Sequence, residues 1–492
     1  MRLERALATS VGVLLAIGPA SAGPPPTPTY PVVDTGQERC YDARAEIRYP
    51  APGKPFFGQD AQYAGNAPRY EDHGKGTVTD RVTGLMWQQD PGAKKTFEQA
   101  AQGARKCRLA GHADWRFPTI KELYSLILFS GTDPDPRTEG PAGQTPFLDT
   151  EYFRFSYGDL AKGERIIDSQ FMSATRYRST TMRGDATVFG VNFADGRIKG
   201  YPLNDPRRGG AKTFFVRYVR GNPKYGHNDF HDNGDRTITD RATGLTWMQV
   251  DSGHLNAGPK KDGRMNWQKA LAWAEGLTFA GQSDWRLPNA KELQSLVDYA
   301  RCPDATNSAA IDPIFKVSTI KNEGDKKDYP FYWTGTTHAS LTRASAAVYI
   351  AFGESPGWMW DRRGGGYRLL DVHGAGSQRS DPKEGVPEDF PRGRGPQGDV
   401  IRIYNFVRCV RGGVAAPKKA GPEPRKARDG PEPRGGDRVD RFIRRLDRDG
   451  DGKVSKGEFD GPPGHFRDFD RDGDGYIDAS EAPSGPPPRR DR

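Results

Sequence analysis

The sequence predicts an α+β protein: two tandem copies of one domain, each with an antiparallel sheet and two helices, followed by a small α-helical pair at the C-terminal end. Three observations predict it. The chain of 492 residues repeats itself, GTVTDRVTGLMWQQD from Gly76 being answered by RTITDRATGLTWMQV from Arg236, and HADWRFPTIKEL from His112 by QSDWRLPNAKEL from Gln282. Within each copy β-branched residues alternate first, apolar residues then recur at helical spacing, and alternation returns at the end. Near the C-terminal end, Val439, Phe442, Ile443 and Leu446 recur at helical spacing ahead of two acidic, Gly-containing stretches.

Taken in order, Arg2 and Arg5 precede the apolar stretch Val11 to Ile17, and Ala20-Ser21-Ala22 offers small residues for cleavage before Gly23. Residues 1–22 therefore read as a secretory signal peptide. Its apolar run is too short to span a bilayer, no other segment is long and apolar enough, and no lipidation cysteine follows the cleavage site. Export is the expectation. Residues 23–70 form a Pro- and Gly-rich segment with two islands of order, Cys40-Tyr41 and Phe56 to Tyr63.

Four cysteines in an exported chain predict two disulfides, with three connectivities open. Keeping each bridge within its own repeat gives Cys40–Cys107 and Cys302–Cys409. No CxxC pair exists, so the spacing supports neither a zinc site nor a thiol redox site. The 73 Lys+Arg against 64 Asp+Glu leave a net charge of +9, which suits an anionic polysaccharide, nucleic acid or lipid surface and equally a solubilising surface.

The first copy runs from 71 to 221 and the second from 231 to 412. Asp80 and Trp87 match Asp240 and Trp247 at a spacing of 160, whereas Trp115 and Glu122 match Trp285 and Glu292 at 170, so the second copy carries a ten-residue insertion around Asp251 to Gly263. TVTD and TITD, each followed by Thr-Gly-Leu, predict a strand, a tight turn and a second strand bearing the tryptophan. Thr96 is placed to cap a helix through Phe97, Ala100, Ala101 and Ala104, as Asn266 is for Trp267, Ala270, Leu271 and Ala274. A second helix is expected after Pro118 and after Pro288, with apolar faces Leu123, Leu126, Ile127 and Leu293, Leu296, Val297. Strand-like text follows, closing on VRYVRG from Val216 and VRCVRG from Val407.

The order TDxxTGLxW, DWRxPxxKEL and a late VRxVRG strand resembles the Lcl C-terminal domain, a bacterial family named for a collagen-like surface adhesin. The Trp-Arg-Leu-Pro segment opening a helix and the closing arginine strand are also similar to the C-type-lectin-like fold and its formylglycine-generating relatives. What the resemblance implies is an extracellular binding or adhesion role in a bacterium, the protein being secreted, periplasmic or held at the surface. Two departures stand out. His73-Gly74-Lys75-Gly76 replaces the turn Asn233-Gly234-Asp235, and Tyr218 stands where the second copy has Cys409. Neither copy has the Glu-Pro-Asn or Gln-Pro-Asp tripeptide with Trp-Asn-Asp used in calcium-bridged sugar recognition.

Trp115, Arg116 and Glu122, with Trp285, Arg286 and Glu292, join an aromatic, a cation and a carboxylate in a way that invites catalysis. Core packing and an Arg–Glu pair explain them better. Asp232, Asn233 and Asp235 could ligate a cation, or simply form an Asp-Asn-Gly turn. Trp358 and Trp360, in a Gly-rich loop with Arg362, Arg363 and Arg368, suit stacking on sugars and pairing with sulfate or carboxylate; plugging the core is the even alternative. Arg176, Arg178, Arg183 and Arg197 offer a similar basic face, or a solvated one.

A Pro- and charge-rich linker, 413–436, is expected to be disordered. In residues 437–492, DRDGDGKVSKGE sets Asp447, Asp449, Asp451, the Lys453 carbonyl, Ser455 and Glu458 at positions 1, 3, 5, 7, 9 and 12 of an EF-hand calcium loop. DRDGDGYIDASE repeats the pattern with Asp470, Asp472, Asp474, the Tyr476 carbonyl, Asp478 and Glu481. Two Ca²⁺ ions are expected. Val454 and Ile477, at position 8, should exchange a short strand contact. Gly461-Pro462-Pro463-Gly464 and Pro483 keep the flanking helices short, which points to a structural site rather than an opening sensor, in the weak class of about 10⁻⁴ to 10⁻³ M. The chain is expected to be a non-enzymatic exported calcium-binding protein whose partner is an anionic glycan or another surface protein in preference to nucleic acid. Two alternatives stay open: an enzyme on a related lectin-like scaffold, and a structural envelope or matrix component.

Overall fold

The computed structural model describes residues 27–482 apart from 206–208, 362–363, 415–416, 426–441, 444–445, 448–452, 460–465, 467–468, 471–473 and 479–480. The expected signal peptide, linker residues 426–436, Arg362, Arg363, Val439, Asp449, Asp451 and Asp472 lie outside the described residues. The chain divides into two compact units, 1–422 and 423–492.

In the first unit each copy opens on an antiparallel meander that its own last strand closes. In copy one Tyr70–Asp72, Thr77–Asp80 and Leu85–Gln88 are joined by Val219–Gly221; in copy two Phe230–Asp232, Thr237–Asp240 and Leu245–Met248 are joined by Val410–Arg411. Alternation decides the register. Val78 pairs with Trp87 and Ile238 with Trp247, all four fully buried on one face. The arginine before each closing strand is buried too, and it acts as a staple. Arg217 donates to the carbonyls of Gln88 and Arg154, and Arg408 to those of Met248, Gln249 and Lys316.

The helices start where their capping residues stand. Phe97–Lys106 begins at Thr96 with a capping box to Gln99, and Trp267–Glu275 begins at Asn266. The second helices, Ile120–Tyr124 and Ala290–Ser295, carry capping boxes between Thr119 and Glu122 and between Asn289 and Glu292. Each is barely more than a turn. Leu123, Leu126, Ile127, Leu293, Leu296 and Val297 are all buried in one hydrophobic core that draws on both copies.

The copies are tandem in sequence but share a central six-stranded sheet. Its order is Phe331–His338, Ala346–Ala351, Gln378–Pro382, Arg197–Pro202, Asp185–Asn192 and Gln170–Thr181, and the junction is the pair Gln378 and Ile198. The fold is thus predominantly antiparallel sheet with five short α-helices among the described residues. One edge of the shared sheet, Phe331–His338, is buried along its whole length. The N-terminal segment covers it: Gln37 exchanges hydrogen bonds of 2.8 Å in both directions with the Thr337 backbone, and Asp60 accepts from Thr336 at 2.6 Å.

Several expectations need correction. All four cysteines are free, and their settings explain it. Cys302 and Cys409 sit in different hydrophobic clusters, while Cys40 belongs to the N-terminal segment and Cys107 ends the first helix of copy one. The tract around Trp358 is a β-hairpin, Pro356–Asp361 with Gly366–Asp371, rather than a loop. Of the arginines read as a basic face, Arg197 is part-buried against Asp133 in a two-pronged pair at 2.7 Å, and Arg176 stacks over Phe97 at 4.2 Å.

In the second unit Val454–Ser455 pairs antiparallel with Tyr476–Ile477, Val454 facing Ile477 as position 8 requires. Ile443, Leu446, Val454, Phe466, Ile477 and Ala482 form a small core against which Phe442, Phe459 and Phe469 pack. The pair thus has a core of its own.

Candidate functional site

Loop two brings its acidic ligands together. Oxygens of Asp470, Asp474 and Glu481, positions 1, 5 and 12, all lie within 4.8 Å of one another, the only such cluster of metal-ligating side chains among the described residues. Asp470 Oδ1 is buried with no hydrogen-bond donor among the described residues. A buried carboxylate oxygen without a partner is costly, and a hard divalent cation at the centre of this cluster supplies what is missing. The residues present therefore fit calcium.

The two loops also position their closing glutamates alike. Ser455 donates its backbone N–H and its hydroxyl to Glu458 Oε2 at 2.8 and 2.7 Å, and the Asp478 N–H donates to Glu481 Oε2 at 3.3 Å. Both glutamates are more than nine-tenths buried. Position 9 thus holds position 12 over the loop, and the Val454–Ile477 ladder ties one loop to the other. Lys453 of loop one reaches Asp474 of loop two at 3.3 Å, so the loops are electrostatically coupled as well.

Other sequence candidates resolve into structure. Trp115 and Trp285 are buried, their indole N–H groups donating to the carbonyls of Leu109 and Phe279. Arg116 pairs with Glu122, and Arg286 pairs with Glu292 through two bonds of 2.7 Å while donating to the Gly412 carbonyl. The motif is a clamp from helix cap to closing strand. Asp232 caps Gly234, Asp235 accepts from Thr237, and Asn233 donates to Thr237 and Thr239, so these three residues form a hydrogen-bonded turn.

One constellation had no signal in the sequence. The insertion of copy two places Asp251 and His254 beside Ser318: Asp251 Oδ1 accepts from Ser318 Oγ at 2.6 Å and meets His254 Nδ1 at 2.9 Å, while Oδ2 accepts from Tyr332. Burial raises the Asp251 carboxyl, but the Arg408 charge and the bonds from Ser318 and Tyr332 outweigh it and hold the group below the usual carboxylate range. The carboxylate is the hub. Ser318 and His254 Nδ1 both point at the same oxygen, whereas a nucleophile relay needs the base between hydroxyl and acid, each on its own ring nitrogen. The cluster anchors the insertion.

The hairpin is the exposed feature of the first unit. Trp360 is 51% exposed and Tyr367 41%, their rings in edge contact at 5.2 Å, while Trp358 is half-buried. Arg183, on the turn after Gln170–Thr181 in copy one, donates to the Trp360 carbonyl at 3.3 Å, and Asp361 draws both Arg183 and Arg368 toward the strand. Arg392 lies over the Tyr367 ring at 4.4 Å. Sequence separation hid this grouping, since Arg183 and Trp360 lie 177 residues apart. Tyr367 and Arg392 carried no signal of their own.

Geometry and pattern together define a calcium-binding EF-hand pair behind a duplicated, sheet-rich domain. The family model of the Lcl C-terminal domain matches residues 76–220 and 236–369, and that of the EF hand matches 439–460 and 465–481. With more than half of its length matched, the chain belongs to the Lcl C-terminal domain family. No curated protein and no solved structure matches it. No helix among the described residues is long and apolar enough to cross a membrane.

Proposed function

We propose that the protein is exported, binds two calcium ions in its EF-hand pair, and serves as a non-catalytic surface or extracellular binding protein whose duplicated unit recognises anionic glycans through the Trp358–Tyr367 hairpin. Each copy is read as a variant of the C-type-lectin-like fold, a reading supported by the closing strand of each copy returning to pair with the tryptophan-bearing strand near its start. The observation that carries the binding reading is the pairing of Trp360 and Tyr367, two exposed rings, with Arg183, Arg368 and Arg392 around them. Aromatic faces stack on sugar rings, and guanidinium forks pair with sulfate or carboxylate. Asp361 keeps two of these guanidinium groups in place; exposed pairs of this kind are worth less than about 1 kcal/mol, so an anionic ligand can take them over.

The test is a screen of the mature chain against sulfated and uronate-containing glycans, with Trp360→Ala alongside. Retention of an anionic glycan that falls at least tenfold in Trp360→Ala supports the reading. Equal retention by the variant, or none by the native chain, removes it.

A further inference from the structure

The two copies meet through reciprocal contacts, and the lysine of each KEL motif reaches into the other copy. Lys121 donates to the Ser295 carbonyl at 2.7 Å, and Lys291 donates to the Ser125 carbonyl at 2.8 Å. The same relation extends to the walls beside each lysine. Ile120 donates its N–H to Thr175 Oγ1, and Ala290 donates its N–H to Thr336 Oγ1, both at 3.0 Å. Leu128 and Phe129 of copy one correspond to Asp298 and Tyr299 of copy two, at the spacing of 170 that the helices set.

One of these two equivalent grooves is filled by the chain itself. Residues 34–37 run through it as an extended segment: Lys291 donates to the Asp34 carbonyl, Phe129 donates its N–H to the Thr35 carbonyl at 2.7 Å, Gly36 packs on Leu128, and Gln37 bonds both ways to Thr337. The Thr336 hydroxyl completes the set by donating to Asp60. The other groove is a cavity of about 390 Å³ lined by Thr119, Lys121, Thr175, Asn228, Tyr299 and Ala300 with their neighbours. No segment of the described chain runs through it.

We propose that this second groove binds an extended polypeptide segment of a partner protein through its backbone, in the way the first holds residues 34–37. Its donors stand where the filled groove uses them. Lys121 supplies the ammonium, now turned to Asn228 Oδ1 at 2.8 Å, where its counterpart Lys291 donates to the Asp34 carbonyl. Tyr299 lines the cavity as the counterpart of Phe129, whose backbone N–H donates to a peptide carbonyl. Two acids also line the cavity, but each is engaged by its own loop: Asp298 caps the Ala300 N–H and Asp312 the Ile314 N–H, both at 2.9 Å. A short extended peptide therefore matches the cavity in backbone pairing. A peptide placed here would bridge the two copies, since Lys121 and Thr175 come from one and Tyr299 from the other.

The test uses the full chain and a capped hexapeptide of sequence Val-Val-Asp-Thr-Gly-Gln, which is the sequence of residues 32–37, bearing a photoreactive group at one end. Crosslinks mapped by mass spectrometry are expected within residues 225–228 and 298–300, with a scrambled hexapeptide giving at least tenfold fewer. Ala300→Trp, an exposed position on the groove wall, should reduce them tenfold or more without disturbing the fold, and Lys121→Met should reduce them further toward background. Crosslinks that ignore Ala300→Trp, that map to residues 125–129 instead, or that do not form at millimolar peptide overturn the proposal. Because neither the hairpin nor the calcium loops enter the readout, its failure is separate from theirs.

Discussion

The hydroxyl of Tyr218 occupies the space into which a side chain at Gly103 would grow, and from there it donates to the Ala100 carbonyl at 3.0 Å. Helix and closing strand of copy one touch through this pair. In copy two the corresponding positions carry Trp273 and Cys409, both in one hydrophobic cluster, so the large residue has moved from strand to helix. The volume is conserved and its source is exchanged.

Gly103→Ala should therefore destabilise the protein by about 1–3 kcal/mol, the usual range for overpacking. That outweighs the gain of about 1 kcal/mol that alanine brings to a helix interior. In a Tyr218→Phe background the hydroxyl is gone, and the same change should cost markedly less. Chemical denaturation of the four proteins in this cycle measures the coupling. Additive effects would mean that the two residues are not in steric conflict.

Calorimetric titration of the full chain should register two calcium ions. Glu481→Gln should remove one of them or weaken it at least a hundredfold, and Glu458→Gln should do the same for the other, because position 12 supplies the bidentate ligand in each loop. Titrations unchanged by either substitution would show that calcium is held elsewhere.

Thiol titration follows from the cysteine settings. Burial pushes the Cys40 thiol up to about 12, only partly offset by Lys383, and burial raises Cys302 and Cys409 as well. Only Cys107 is appreciably exposed. Native protein should react quickly at one thiol and denatured protein at four. A count of zero after denaturation would restore the disulfides.

The pH test concerns His338, which is buried beside Arg197. Burial first, and then the Arg197 charge, lower its pKa to about 4. Its Nε2 faces the Asp195 carbonyl at 3.0 Å, which leaves Nδ1 to accept from Ser380 in a neutral ring. The folded state thus takes up the proton later than the unfolded chain, whose histidine titrates near 6.5. The stability this group permits is complete above about 6.5 and is lost as pH falls toward 4. Asp60 and Asp371, raised by burial to about 7, act in the opposite sense, so total stability is the wrong observable. His338→Gln compared with the native protein isolates the effect: between pH 7 and pH 5 the variant should gain about 2 kcal/mol relative to native. A constant difference across that range would show that His338 does not titrate on unfolding.

Local chemistry was the legible part. Thr96 and Asn266 announced two helix starts because a capping side chain acts within three residues of itself, and Pro118 and Pro288 marked the approach to the other two. The strand pairs bearing Trp87 and Trp247, and the calcium loops, were readable for the same reason. The shared sheet was not, since its junction rests on Ile198 and Gln378, 180 residues apart, with no pattern to mark either as an interface. The hairpin was read as a loop because Gly364-Gly365-Gly366 dominates its tip, although Trp358 and Trp360 already stand two apart, as strand neighbours on one face do. Arg217 and Arg408 look like surface charge in any window, and only the carbonyls that gather around them from distant loops explain their burial.

The junction between Ile198 and Gln378 makes the duplication difficult to undo. Once Gln378–Pro382 had settled against Arg197–Pro202, losing either half would lay bare an unpaired strand in the middle of what is now a continuous sheet, and such an edge invites aggregation. Each half therefore shields its sibling from misassembly. Selection can then let one copy's surface drift toward a new ligand while the other is retained, whatever it binds, as scaffolding.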